Sequence, residues 1–134
     1  MVYTILIRLI SVLLAGVLLL IVISVWPEPS EATLLKRNDE QRVEDLGLII
    51  EAIHDFRNSN ERLPYSLQEL AESRPRLKWQ DPVHQRPYDY TLINTAIYSL
   101  CAVFETDSSG DAFGSLPGFS RHGIGNTCVY RTFE

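Results

Sequence analysis

Two cysteines, three histidines and one run of acidic residues are the side chains of this 134-residue chain best suited to chemistry. Cys101 and Cys128 are its only cysteines. An even count fits one disulfide, which belongs to an oxidising compartment; two buried free thiols are the other reading. A bond would close a loop of about 28 residues and add roughly 3–4 kcal/mol in the chain-entropy model. His122 precedes Cys128 in a Gly-containing segment, with His84 and His54 elsewhere. A Cys/His metal centre needs four converging ligands, and these spacings fit no zinc pattern. His122 therefore reads as a surface or loop-packing residue. Glu105, Asp107, Ser108, Ser109, Gly110 and Asp111 could wrap calcium with backbone carbonyls, though not at EF-hand spacing. Acidic, glycine-containing loops are ordinarily solvated, so no metal is assigned, and Asp107 and Asp111 stand only as weak calcium candidates. No Ser/His/Asp, Cys/His or paired-carboxylate constellation has supporting context, so neither an enzyme nor a cofactor is expected.

With so little chemistry, the elements carry the reading. Leu9 to Trp26 are eighteen positions without a charge. As a helix rising about 1.5 Å per residue they span roughly 27 Å, near the thickness of a bilayer core. A signal peptide has a shorter apolar region and a small-x-small cleavage site. Here Trp26-Pro27-Glu28-Pro29 follows, and no cysteine that could carry a lipid. The expectation is a retained single-span anchor over residues 1–26, because a small domain could not cover an apolar helix on all sides. Arg8 can snorkel to the headgroups, Tyr3 and Trp26 suit the two interfacial belts, and Ala15 and Gly16 let a partner helix approach closely. Arg8 favours a cytoplasmic N-terminus, whereas Lys36, Arg37 and Arg42 argue the other way. The cysteine pair tips the reading to an inner-membrane protein with its C-terminal domain periplasmic or extracellular.

All 17 acidic residues follow the anchor, with 11 of the 12 basic ones, a balance of −6. No basic stripe is present to neutralise phosphates, which excludes nucleic acid as a partner. Residues 27–38 form a proline-stiffened linker and the start of a second helix, which extends over about Glu31 to Asn58. Its apolar stripe is Val43, Leu46, Ile50, Ile53 and Phe56, with Glu40, Glu44, Asp45, Glu51 and Asp55 opposite. Leu63-Pro64 is a turn, and Ser66-x-x-Glu69 has capping-box spacing for a short helix over Leu67 to Glu72. The period then changes to two. Tyr88, Tyr90 and Leu92 read as a strand, Asn94-Thr95-Ala96 as a hairpin turn, Ile97 to Phe104 as the central strand and Cys128 to Phe133 as the last, with a loop over 105–126.

This order resembles the type IV pilin and type II secretion pseudopilin family. Arg42-Val43-Glu44-Asp45-Leu46 through Ile53-His54-Asp55-Phe56 resembles its helix, and Glu61-Arg62-Leu63-Pro64-Tyr65-Ser66-Leu67-Gln68-Glu69-Leu70 its turn and capped helix. Asp81-Pro82-Val83-His84-Gln85-Arg86-Pro87-Tyr88-Asp89-Tyr90 with Tyr98-Ser99-Leu100-Cys101-Ala102 resembles its sheet block, and His122-Gly123-Ile124-Gly125-Asn126-Thr127-Cys128 the ending of a sub-branch. The resemblance implies an α+β fold over residues 39–134, an amphipathic helix packed on a small antiparallel sheet. Major pseudopilins hold calcium in a loop comparable to residues 105–111, and the resemblance leaves Asp107 and Asp111 as weak calcium candidates. A prepilin carries a cleavable leader and a glutamate near its mature start, whereas residues 1–26 hold no acidic residue, and Pro27 and Pro29 interrupt the spine. The expected function is therefore non-enzymatic: an outer domain that docks onto, stabilises or helps assemble a complex of integral membrane subunits. The alternatives are an unprocessed minor pseudopilin of a secretion or pilus machine and, third, a calcium- or ligand-binding sensor domain.

Overall fold

A computed structural model describes residues 2–25, 29–109, 119 and 121–133. By internal contacts the chain divides into two units, Met1–Ser30 and Glu31–Glu134. The first unit is built on α1, Val2–Ser24, a helix of 23 residues. Tyr3–Ser24 is long and apolar enough to cross a membrane. Ser11 and Ser24 do not break it, because their hydroxyls donate to the carbonyls of Arg8 and Leu20 within the helix.

The second unit is α+β. Helix α2, Glu31–Asn60, buries Asp39, Arg42, Asp45, Leu46, Ile49, Ala52 and Ile53, a face repeating by three and four. The apolar stripe expected from the sequence is thus turned slightly: Val43, Ile50 and Phe56 flank the core rather than centre it. Asp45, expected on the solvated face, is 1 % exposed. It accepts from Gln41 one turn earlier and from the Tyr88 hydroxyl 43 positions away, and the second of these the helix pattern cannot show. At the C-terminal end Glu61 takes the left-handed conformation at φ 56°, and its N–H donates to the Arg57 carbonyl at 2.8 Å.

Leu63 and Pro64 turn the chain under the core, and α3, Leu67–Ser73, follows. Ser66 is its N-cap, accepting from the Glu69 N–H at 3.2 Å. The reciprocal half of the capping box is displaced by one residue: the Glu69 carboxylate accepts from the Tyr65 N–H at 2.6 Å and pairs with Arg62.

Three antiparallel strands complete the unit: β1 (Asp89–Leu92), β2 (Ile97–Phe104) and β3 (Gly125–Thr132), in the order β1-β2-β3. The hairpin between β1 and β2 is closed by the Asn94 side chain, which accepts from the Ala96 N–H at 2.8 Å. β3 begins at Gly125, three residues before the expected start at Cys128. Gly125, opposite Phe104, has φ +104°, a backbone conformation that side-chain-bearing residues rarely adopt. β2 sends Tyr98, Leu100, Ala102 and Phe104 into the core against Leu46, Ile49 and Ile53 of α2, with Leu67 and Leu70 of α3 beside them.

Candidate docking site

α1 offers the most unusual surface of the molecule. Every described side chain from Tyr3 to Val25 is exposed, including Arg8, Ala15 and Gly16. A Cβ placed on Gly16 would meet nothing within 4 Å. Tyr3 is 74 % exposed; Trp26, expected at the other interface, lies outside the described residues. In water such a surface would be excluded by the hydrophobic effect. In hydrocarbon it is matched, because the helix satisfies its own backbone groups.

The second unit is held by a buried ion cluster. Arg42, 1 % exposed, donates from Nε to Asp81 at 2.6 Å and from Nη1 to Asp39 at 2.7 Å and Glu105 at 2.9 Å. Asp39 also accepts from the N–H groups of Glu105 and Thr106 and from the Thr106 hydroxyl. Asp81 accepts from the N–H groups of Val83 and His84, fixing the turn that leads toward β1. Three chain segments far apart in sequence therefore converge on one guanidinium: α2, the loop around Asp81 and the exit of β2. Burial alone would raise both aspartates, but the donors outweigh it. Asp39 is held below the usual carboxylate range, chiefly by Thr106 with the Glu105 N–H and Arg42. Asp81 is brought down to about 2, chiefly by Arg42 with the His84 and Val83 N–H groups. Such carboxylates stay ionised and are poor proton carriers, so the cluster is a clamp and not an acid–base centre.

Asp45 shifts the other way. Burial raises it, against hydrogen bonds from Gln41 at 2.8 Å and the Tyr88 hydroxyl at 3.3 Å. Among the aromatic side chains of the second unit, Tyr88 and Tyr98 are core residues, Tyr90 and Trp79 pack partly buried, and Tyr65 and Tyr130 are largely exposed. His122 is 5 % exposed and stacks on Phe104 with ring centroids 3.7 Å apart.

Cys101 and Cys128 face each other across β2 and β3, with sulfurs 2.12 Å apart and Cα atoms 4.1 Å apart. The disulfide lies on the sheet face away from α2, since Leu100 and Ala102 on either side of Cys101 point into the core. Beside it is an open depression of about 580 Å³, bordered by Asp81, His84, Arg86, Asp89, Cys101 and Asn126. Among the described residues no three His, Cys, Asp or Glu side chains converge as a metal set. Asp107 accepts from the Ser109 N–H at 2.8 Å, and Asp111 lies outside the described residues.

Arg42 is the residue that sequence reasoning missed. It entered as a charge following the anchor and as the first residue of the helix motif, not as a buried ion-pair centre, although Asp39-x-x-Arg42 lies on the same helical face as Leu46 and Ile49. A charged pair on an apolar face is the signal that was available. No protein-family model matches this chain, nor does any curated protein or any solved structure.

Proposed function

We propose that this chain is a non-enzymatic, single-span membrane protein. Its anchor is α1, and its second unit is a pilin-like outer domain that docks onto or helps assemble a hetero-complex of integral membrane subunits. One observation carries this reading: a 23-residue helix whose described side chains from Tyr3 to Val25 are all exposed. Such a helix needs a bilayer, and inside a bilayer it gains affinity for other helices through close packing at small residues such as Ala15 and Gly16. The disulfide supports an oxidising location for the second unit and hence a cytoplasmic N-terminus. A long helix, a capped short helix and a three-stranded antiparallel sheet, in that order, support the pilin-like reading. The balance of −6 after the anchor disfavours packing many copies side by side, so the reading is one or few copies per complex.

The test is Gly16→Leu in the full chain. The added side chain has open space around it, so the second unit keeps its urea midpoint. On native gels of membranes solubilised in mild detergent, the wild-type chain runs in a large assembly and the variant shifts toward the free chain. A variant that stays in the assembly at the wild-type level would remove α1 as the docking helix.

A further inference from the structure

We infer that one arc of α1, carrying Thr4, Arg8, Ser11, Ala15 and Gly16, is the contact face for a partner's membrane helix that places a carboxylate opposite Arg8. This rests on the reading of the chain as a single-span docking subunit, and it names the face and the counter-charge.

The helix is not uniform around its axis. At about 100° per residue, Thr4, Ser11 and Ala15 lie within about 60° of Arg8, and Gly16 within about 80°. Together they occupy an arc of about 140° of the circumference. The rest of the circumference is Leu, Ile and Val throughout, except for Tyr3 and Ser24 near the two ends. The single charge and the small residues therefore share one side of the helix. Ala15 and Gly16 on that side let a neighbouring backbone approach closely. The Ser11 hydroxyl turns back onto the Arg8 carbonyl at 2.9 Å, which keeps its side chain low against the helix.

Charge selects the occupant. Arg8 is the only charged residue of the candidate span Tyr3–Ser24, about 7 Å along the axis from Tyr3. A guanidinium at that depth needs an anion. A lipid phosphate serves an arginine on any side of a helix. Arg8 stands on the side where an apposed helix would shield it from lipid, so the partner has to supply the anion, and a carboxylate matches the guanidinium fork. A second copy of α1 cannot do so. Residues 1–26 contain no Asp or Glu, and a parallel pair would bring two Arg8 side chains together.

The experiment has two parts, both on the full chain. In phosphatidylcholine vesicles at about pH 8, the probe is a synthetic Leu/Ala membrane helix of about 23 residues. It carries one Glu at the depth of Arg8, and its control carries Gln there. Association is read by energy transfer between dyes on the two chains. The wild type binds the Glu helix about ten-fold more tightly than the Gln helix, Arg8→Gln abolishes that preference, and Ala15→Leu weakens both helices alike. Arg8→Lys retains part of the preference. In native membranes, Arg8→Leu combined with Ile10→Arg moves the charge about 160° around the helix and about 3 Å along it, so a side chain able to reach the headgroups is kept. On native gels this double variant leaves the assembly to the same extent as Arg8→Gln, while both resist alkaline extraction.

The inference is overturned if both probe helices bind alike, if Arg8→Gln keeps the preference, or if the wild type pairs with itself in the absence of probe. It is also overturned if the double variant stays in the assembly at the wild-type level, which would leave Arg8 as a headgroup anchor. A wild-type chain that is inserted and assembled but fails these tests loses only this inference. A wild-type chain released by alkali, or running alone on native gels, loses the docking reading itself.

Discussion

Replacing Arg42 with methionine should be the most damaging single change in the second unit. Methionine keeps much of the side-chain length and removes the charge. Arg42 is 1 % exposed and binds three carboxylates at 2.6–2.9 Å. Its loss leaves Asp39 with the Glu105 and Thr106 donors and Asp81 with two N–H donors, while Glu105, whose side chain is 31 % exposed, can rehydrate. Breaking a buried ion pair from one side costs about 3–5 kcal/mol, and the remaining donors place this case near the lower end. Asp81, brought from 3.8 down to about 2 by Arg42 together with the His84 and Val83 N–H groups, loses only the Arg42 share of that shift, which is at most about 2 kcal/mol. In urea, with a slope of about 1.5 kcal/mol per molar, the midpoint should fall by about 2 M, followed by Trp79 fluorescence in the full chain. The sign with pH is also set. A carboxylate with a depressed folded pKa stabilises above its unfolded value and loses that contribution as pH falls through the folded one. The wild type should therefore weaken below about pH 4, and the two proteins should converge toward pH 2. A loss under about 1 kcal/mol, or a difference unchanged between pH 7 and pH 3, would refute the clamp. Arg42→Lys should recover only part of the loss, because an ammonium is a point charge and cannot reproduce the fork.

Three further outcomes follow from particular residues. Cys101→Ser with Cys128→Ser should cost about 3 kcal/mol for a bond spanning 27 positions, measured as the urea-midpoint difference from the oxidised wild type. Gly125→Ala should cost about 1 kcal/mol through its φ of +104° alone, because a Cβ there meets nothing within 4 Å; a neutral result would remove the need for glycine. Asp45 has a raised folded pKa, so its protonation favours the native state as pH falls. Asp45→Asn should accordingly flatten that part of the pH–stability curve while leaving the loss below pH 4 in place.

The fold was most legible where local pattern and burial agree. The period-two alternation of β1, the apolar run of β2 and the cap at Ser66 can each be read from a few neighbouring residues, and the structure has elements at these places. Only part of the ion cluster was legible: Asp39 and Arg42 lie three apart on the buried face of one helix, whereas Asp81 and Glu105 are 39 and 63 positions from Arg42 and nothing local marks them as its partners. Asp45 was misplaced for the same reason: a helix pattern assigns acids to solvent, while the Tyr88 hydroxyl that helps hold it lies 43 positions away. The early start of β3 escaped notice because Gly125 and Asn126 have turn chemistry, and their strand pairing is imposed by Phe104 and Val103 opposite.

Native mass spectrometry of the assembly released from membranes in mild detergent tests the central proposal most directly. The account predicts this chain, with the residues of α1 still attached, in one or few copies bound to other, membrane-embedded subunits in fixed ratio. A chain recovered alone, or a homopolymer of it, would contradict the account.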